Sequence, residues 1–140
     1  MLYNKFPFTP LHGLLVPERR SREPQYLSHP YHLYIWALTQ SMGEKLPGLG
    51  FAYNSYGAYA SVNHLHFQMF AREQGRYPIE SDFWRHNGGR QRYPVPVQRF
   101  SDPQPAWQAL QWLHDNTQPY NLVYRPGCVY VAARAQQGSY

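Results

Sequence analysis

A single cysteine, Cys128, leaves this 140-residue chain without a disulfide framework and without a cysteine-rich zinc site. It sits in an apolar run, so a buried core position is expected. No apolar stretch reaches the 18 or so residues of a membrane span, and the N-terminus lacks a basic segment followed by an apolar core and a cleavage site. A soluble, cytoplasmic protein with no membrane partner is expected. Internal repeats and low-complexity segments are also missing, which excludes solenoids and arrays.

Acidic residues are few: 8 Asp and Glu stand against 13 Lys and Arg, a net charge of +5 that favours anionic ligands. The basic residues are scattered apart from two clusters. Glu18-Arg19-Arg20-Ser21-Arg22-Glu23 is interrupted by glutamates and, as a mixed charge run, reads as a solvated loop. Trp84-Arg85-His86-Asn87-Gly88-Gly89-Arg90-Gln91-Arg92 places two glycines among arginines, either a turn that closes over a phosphate or an exposed loop. Charge and aromatics together raise nucleic-acid binding, but the aromatics fall mostly at expected core positions and no RNA-binding pattern occurs, which argues against that partner.

With 43% hydrophobic residues, 17% aromatics, 13 prolines and 10 glycines, the chain is a globular domain of short elements rather than a disordered or all-helical one. One domain over residues 1–135 is expected, with 136–140 as a frayed tail. Leu2-Tyr3-Asn4 and Gly13-Leu14-Leu15-Val16-Pro17 read as strands around a proline-rich connection from Phe6 to Pro10. Ser28 and Pro30 predict a helix over 30–42 with Leu33, Trp36 and Ala37 on its apolar face, ended by Gly43. Residues 50–54 read as a strand, Ser55 to Ala60 as a connection turning at Gly57, and Ser61 to Phe70 as a longer strand. Pro94 to Phe100 is extended and confined by its prolines to a sheet edge. Asp102-Pro103 opens a second helix with the stripe Trp107, Leu110 and Leu113, and a hairpin turning at Pro126-Gly127 closes the chain. The order ββαββ then βαββ predicts an α+β fold, an antiparallel sheet of five or more strands. A main helix would pack on one face, with a second helix before the C-terminal hairpin. An exposed sheet edge would suit a homodimer.

The chemistry concentrates in Asn63-His64-Leu65-His66-Phe67-Gln68. On a strand, alternate residues stand about 6 to 7 Å apart on one face. His64, His66 and Gln68 would therefore share a wall while Leu65, Phe67 and Met69 pack behind. An imidazole with an ordinary pKa of about 6.5 is largely neutral at physiological pH and suits attack on phosphorus without a metal. The same spacing also fits a hydrogen-bonded structural pair or two zinc ligands.

The run from Tyr53 to Gln68, with its Tyr53-Asn54-Ser55 step, Gly57 and Asn63 before the His-Leu-His-Phe-Gln core, resembles the histidine-triad (HIT-like) superfamily in its glutamine-containing branch. It is most similar there to the GDP-L-galactose and GDP-D-glucose phosphorylases. More distantly it resembles galactose-1-phosphate uridylyltransferase and diadenosine tetraphosphate phosphorylase. Asn4-Lys5-Phe6-Pro7 with Leu11 to Pro17 resembles the family's first hairpin, and Pro119 to Val123 a downstream strand entry. The resemblance spans roughly residues 3–134.

It implies a metal-free, cofactor-free nucleotidyltransferase or phosphorylase acting on a nucleoside diphosphate sugar or dinucleoside polyphosphate, with inorganic phosphate as an acceptor. His66 would be the nucleophile, its second ring nitrogen held by a backbone carbonyl. His64 would contact the pocket or order that network, with His12 as its neighbour. Gln68 would donate to a phosphate oxygen, since an amide does not shuttle protons near neutral pH. Ser61 and the backbone at Gly57 would supply neutral donors, and Asn4 and Asn54 nucleotide contacts. A noncatalytic nucleotide-binding or assembly module of the same fold is the alternative, and a histidine-triad hydrolase the second.

Overall fold

In a computed structural model, described for residues 1–5, 7–73 and 76–138, seven strands form one antiparallel sheet. They are β1 (Leu2–Tyr3), β2 (Leu11–Leu15), β3 (Gly50–Asn54), β4 (Phe67–Ala71), β5 (Val97–Phe100), β6 (Tyr120–Arg125) and β7 (Cys128–Ala133), in the order β1-β2-β4-β3-β6-β7-β5. Two helices, α1 (His29–Gly43) and α2 (Pro103–Asp115), cover one face. The expected α+β arrangement and element order are met. Phe6, within the first connection, lies outside the described residues.

Local signals account for the helices and the last hairpin. The Asp102 carboxylate accepts from the Gln104 N–H at 2.8 Å, and Pro103 follows at the first helical position. Pro126 and Gly127 form a two-residue turn between Arg125 and Cys128, Gly127 supplying φ +83°. β5, entered through Pro94 and Pro96, lies at a sheet edge, and Cys128 is buried.

The core follows strand alternation. Phe51, Tyr53, Phe67, Leu122, Tyr124, Val129 and Val131 pack with Leu27, Ile35, Leu65, Leu110 and Leu113. On α1 the buried residues are His32, Ile35 and Thr39, one position off the expected stripe, and Ala37 is exposed. Polar groups occupy that stripe because each has a partner. His32 lies 2.7 Å from the Tyr124 hydroxyl and 2.8 Å from the Pro103 carbonyl, and Thr39 donates to the Ile35 carbonyl at 2.6 Å. On α2, Ala106 is buried with Leu110 and Leu113, while Trp107 is only partly buried.

Element boundaries move, β2 and β4 among them. β2 runs from Leu11 to Leu15 rather than over 13–17, because its register pairs Leu11 with Ala71 and Leu15 with Phe67. The strand expected over Ser61 to Phe70 begins only at Phe67. Upstream of it the backbone bonds to other segments: the Leu65 N–H donates to the Glu23 carbonyl at 2.9 Å. The tail is also more ordered than expected over 136–138. The Gln137 N–H donates to the Gly57 carbonyl, and the Gly138 carbonyl accepts from the Tyr59 N–H. Ser139 and Tyr140 lie outside the described residues.

Candidate active site

Where β4 gives way to the 61–66 segment, a cavity of about 510 Å³ opens beside the β1–β2 hairpin, within the usual range for a small-molecule site. His64, His66 and Gln68 line it with Ser61, Asn4 and Arg19, and Leu2, Leu14, Val16 and Val62 supply apolar wall. The three-residue wall expected from alternation thus exists although only Gln68 lies within a strand. Leu65 and Phe67 point into the core.

His66 is the most constrained of these groups. Its Nδ1–H donates to the His64 carbonyl at 2.8 Å, which leaves the lone pair on Nε2. It is 8% exposed, so little of the ring meets water. The His64 Nε2–H donates to the Glu18 carbonyl at 3.2 Å, so that ring ties the 61–66 segment to the loop before α1.

His12 stands behind the wall on β2. The Phe8 N–H donates to its Nδ1 at 3.1 Å, which places the proton of the neutral ring on Nε2. Burial pushes its pKa below the ordinary value against a hydrogen bond with Gln68. A neutral ring thereby steadies Gln68 in the cavity wall.

Asn54 and Gly57 do not line the cavity. The Asn54 side chain accepts from Asn121 Nδ2 at 2.8 Å, and its carbonyl accepts from Gln25 Nε2 at 2.9 Å. Gly57 turns the chain with φ +79°, and a Cβ there would come 2.8 Å from Pro119 Cγ. Both residues shape the connection that leads into the site. Two residues that sequence reasoning passed over are prominent instead. Arg19 belongs to the run read as a solvated loop, yet it brings a guanidinium to the cavity. Gln25 is 4% exposed and accepts from the His66 backbone N–H at 3.0 Å. Its local sequence carries no signal of that role.

Among the described residues, no group of three or more His, Cys, Asp or Glu is placed to hold a metal ion, and no helix is long and apolar enough to cross a membrane. What the cavity offers is an oriented imidazole lone pair, two neutral amides, a hydroxyl and one arginine.

Relatives carry the same frame. GDP-L-galactose phosphorylase 2 of Arabidopsis thaliana is 38% identical over 69 residues, which is 49% of this chain and 15% of that protein. Among solved structures, yeast Ap4A phosphorylase Apa2 in complex with Ap4A superposes with a TM-score of 0.65 at 17% identity, over 95% of this chain and 56% of that one. Its complex with AMP gives 0.60 at 20% identity, over 95% and 55%. This chain therefore spans about half the length of those structures and far less of the curated relative. The likeness to the yeast enzyme establishes a HIT-like fold. The model of the GDPGP1-like N-terminal domain matches residues 1–70, half of the chain including the histidine segment, and the chain belongs to that family.

Proposed function

We propose that the cavity performs nucleotidyl transfer, with His66 as nucleophile, on a nucleoside diphosphate sugar or a dinucleoside polyphosphate. One observation carries this reading: the 2.8 Å bond from His66 Nδ1–H to the His64 carbonyl, which orients an unprotonated Nε2 in a cavity wall. The relatives' activities as phosphorylases supply the reaction class.

In the first step the Nε2 lone pair attacks the α-phosphorus. The bond from that phosphorus to its bridging oxygen breaks, and a sugar phosphate or nucleotide leaves. In the second step an oxygen of inorganic phosphate attacks the same phosphorus. The P–N bond breaks, its electron pair returns to Nε2, and a nucleoside diphosphate is released. Gln68 donates to a nonbridging oxygen, Asn4 and Ser61 add neutral donors, and the Arg19 guanidinium offsets the phosphate charge. His64 holds the wall in place through Glu18.

The test is incubation with nucleotide-labelled GDP-hexose and with Ap4A, followed by denaturing separation. An acid-labile protein adduct, lost in His66→Ala along with at least ~10³-fold of turnover, is the expected result. Nucleoside diphosphate released only when phosphate is present marks phosphorolysis, whereas monophosphate released without it marks the hydrolase alternative. Nucleotide binding with no adduct, identical in His66→Ala, overturns the enzyme reading in favour of a noncatalytic module.

A further inference from the structure

The β3–β4 ladder is regular up to a point. Gly50 pairs with Phe70, Phe51 with Met69 and Ala52 with Gln68. Continued by one more repeat, this register would set Asn54 opposite His66, and a ladder bond would join them directly. The side-chain amide of Gln25 occupies that place. Its Oε1 accepts from the His66 N–H at 3.0 Å, and its Nε2 donates to the Asn54 carbonyl at 2.9 Å and to the His66 carbonyl at 3.4 Å.

The chain holding that amide is itself pinned. The Gln25 N–H donates to the Asn63 side-chain oxygen at 3.0 Å, the Tyr26 N–H closes a tight turn onto the Pro24 carbonyl, and Leu27 is fully buried. A primary amide has two donors and one acceptor oxygen, and this one uses both kinds on backbone groups. The result is a one-residue wedge that separates β3 from β4 where the candidate nucleophile sits, while satisfying the groups the separation exposes.

We infer that Gln25 is a positioning residue: its amide replaces the ladder bond between Asn54 and His66 and so sets the backbone from which His66 Nδ1–H reaches the His64 carbonyl. A regular strand through His66 would commit its N–H to Asn54 and draw residues 64–66 into the sheet. With the wedge in place, residues 64–66 bend out of the ladder and the ring keeps a single tautomer. The inference rests on His66 as the proposed nucleophile, but the geometry it describes exists without substrate.

Two measurements test it. In uniformly 13C,15N-labelled wild-type protein, a coupling across the hydrogen bond from the His66 amide nitrogen should reach the Gln25 side-chain carbonyl carbon. A coupling to the Asn54 backbone carbonyl instead would overturn the wedge whether or not any variant folds. Imidazole 15N shifts then report the tautomer. Wild type should show His66 with its proton on Nδ1, and Gln25→Met should show a mixture, with kcat lowered ~10- to 100-fold and KM within ~3-fold. Gln25→Glu keeps the acceptor for the His66 N–H but sets a carboxylate against the Asn54 carbonyl, so a smaller change in the same direction is expected. A folded Gln25→Met with wild-type tautomer and kcat overturns the positioning role. Should wild type form no adduct while its His66 tautomer still depends on Gln25, the proposed reaction fails and the positioning stands.

Discussion

Two segments with three arginines each, 18–23 and 85–92, meet opposite fates in the fold. The first runs beside the histidine wall: the Glu18 carbonyl takes the His64 ring N–H, the Glu23 carbonyl takes the Leu65 N–H, and Arg19 faces the cavity. The second closes on itself. The Arg85 N–H donates to the Gln91 carbonyl, its Nε donates to the Arg90 carbonyl, and Gly88 supplies the left-handed turn with φ +92°. No residue of 85–92 lines the histidine cavity. Cationic composition alone does not decide which segment meets the histidine wall; what matters is which one lends its backbone to it.

Removing Arg19 produces the largest effect expected from this contrast. A charge-assisted hydrogen bond contributes about 1.5–3 kcal/mol, so Arg19→Ala should lower kcat/KM for a nucleotide substrate by about 10- to 100-fold. The doubly substituted Arg90→Ala, Arg92→Ala should remain within about twofold, as exposed charges far from a site usually do. Steady-state rates at two ionic strengths decide it. A larger loss from the second pair than from Arg19 would reverse the comparison.

Sequence patterns reveal elements whose signals are local and miss what depends on a distant partner. Both helices carry a proline in their first two residues after Ser28 or Asp102, and the last hairpin turns at Pro126-Gly127 as read. Alternation correctly separates His64, His66 and Gln68 from Leu65 and Phe67. It does not reveal that the ladder stops at Phe67, because Gln25, which interrupts it, lies 41 residues away in sequence. Asn54 resembles a nucleotide contact in sequence, but its partner Asn121, 67 residues downstream, takes its side chain. The charges of 18–22 are indeed exposed and Glu23 is half-buried, and the segment's use lies in two carbonyls and one arginine that composition cannot rank.

The second segment matters for stability instead. A Cβ on Gly89 would stand 2.2 Å from the Phe83 carbonyl oxygen and 2.3 Å from that of Asp82, both backbone atoms. Gly89→Ala must therefore push the loop apart, at about 1–3 kcal/mol by analogy with overpacked interiors. Denaturant unfolding should show that loss, while adduct formation per folded molecule should stay at the wild-type level. A matching fall in adduct would mean that the loop communicates with the cavity after all.

Acid should separate the two regions more gently, through the kind of acceptor each one uses. Behind the histidine wall that the first segment braces, the Phe8 N–H donates to His12 Nδ1, an acceptor that disappears when the ring is protonated. In the second, the Gly88 and Gly89 N–H groups donate to the Arg85 and Trp84 carbonyls, which do not titrate. Burial holds the His12 pKa below 6.5, so as pH falls the unfolded chain takes up the proton first. The stability tied to a neutral His12 is therefore complete above about pH 6.5 and declines as pH drops toward the lower folded value. Buried His32 and half-buried His114, also held low by desolvation, add to that decline with the same sign. Hydrogen exchange corrected for its intrinsic pH dependence should show Phe8 losing protection between pH 7 and 5.5 while Gly88 and Gly89 keep theirs. Equal loss at all three amides would mean that acid loosens the whole molecule rather than the wall behind the cavity.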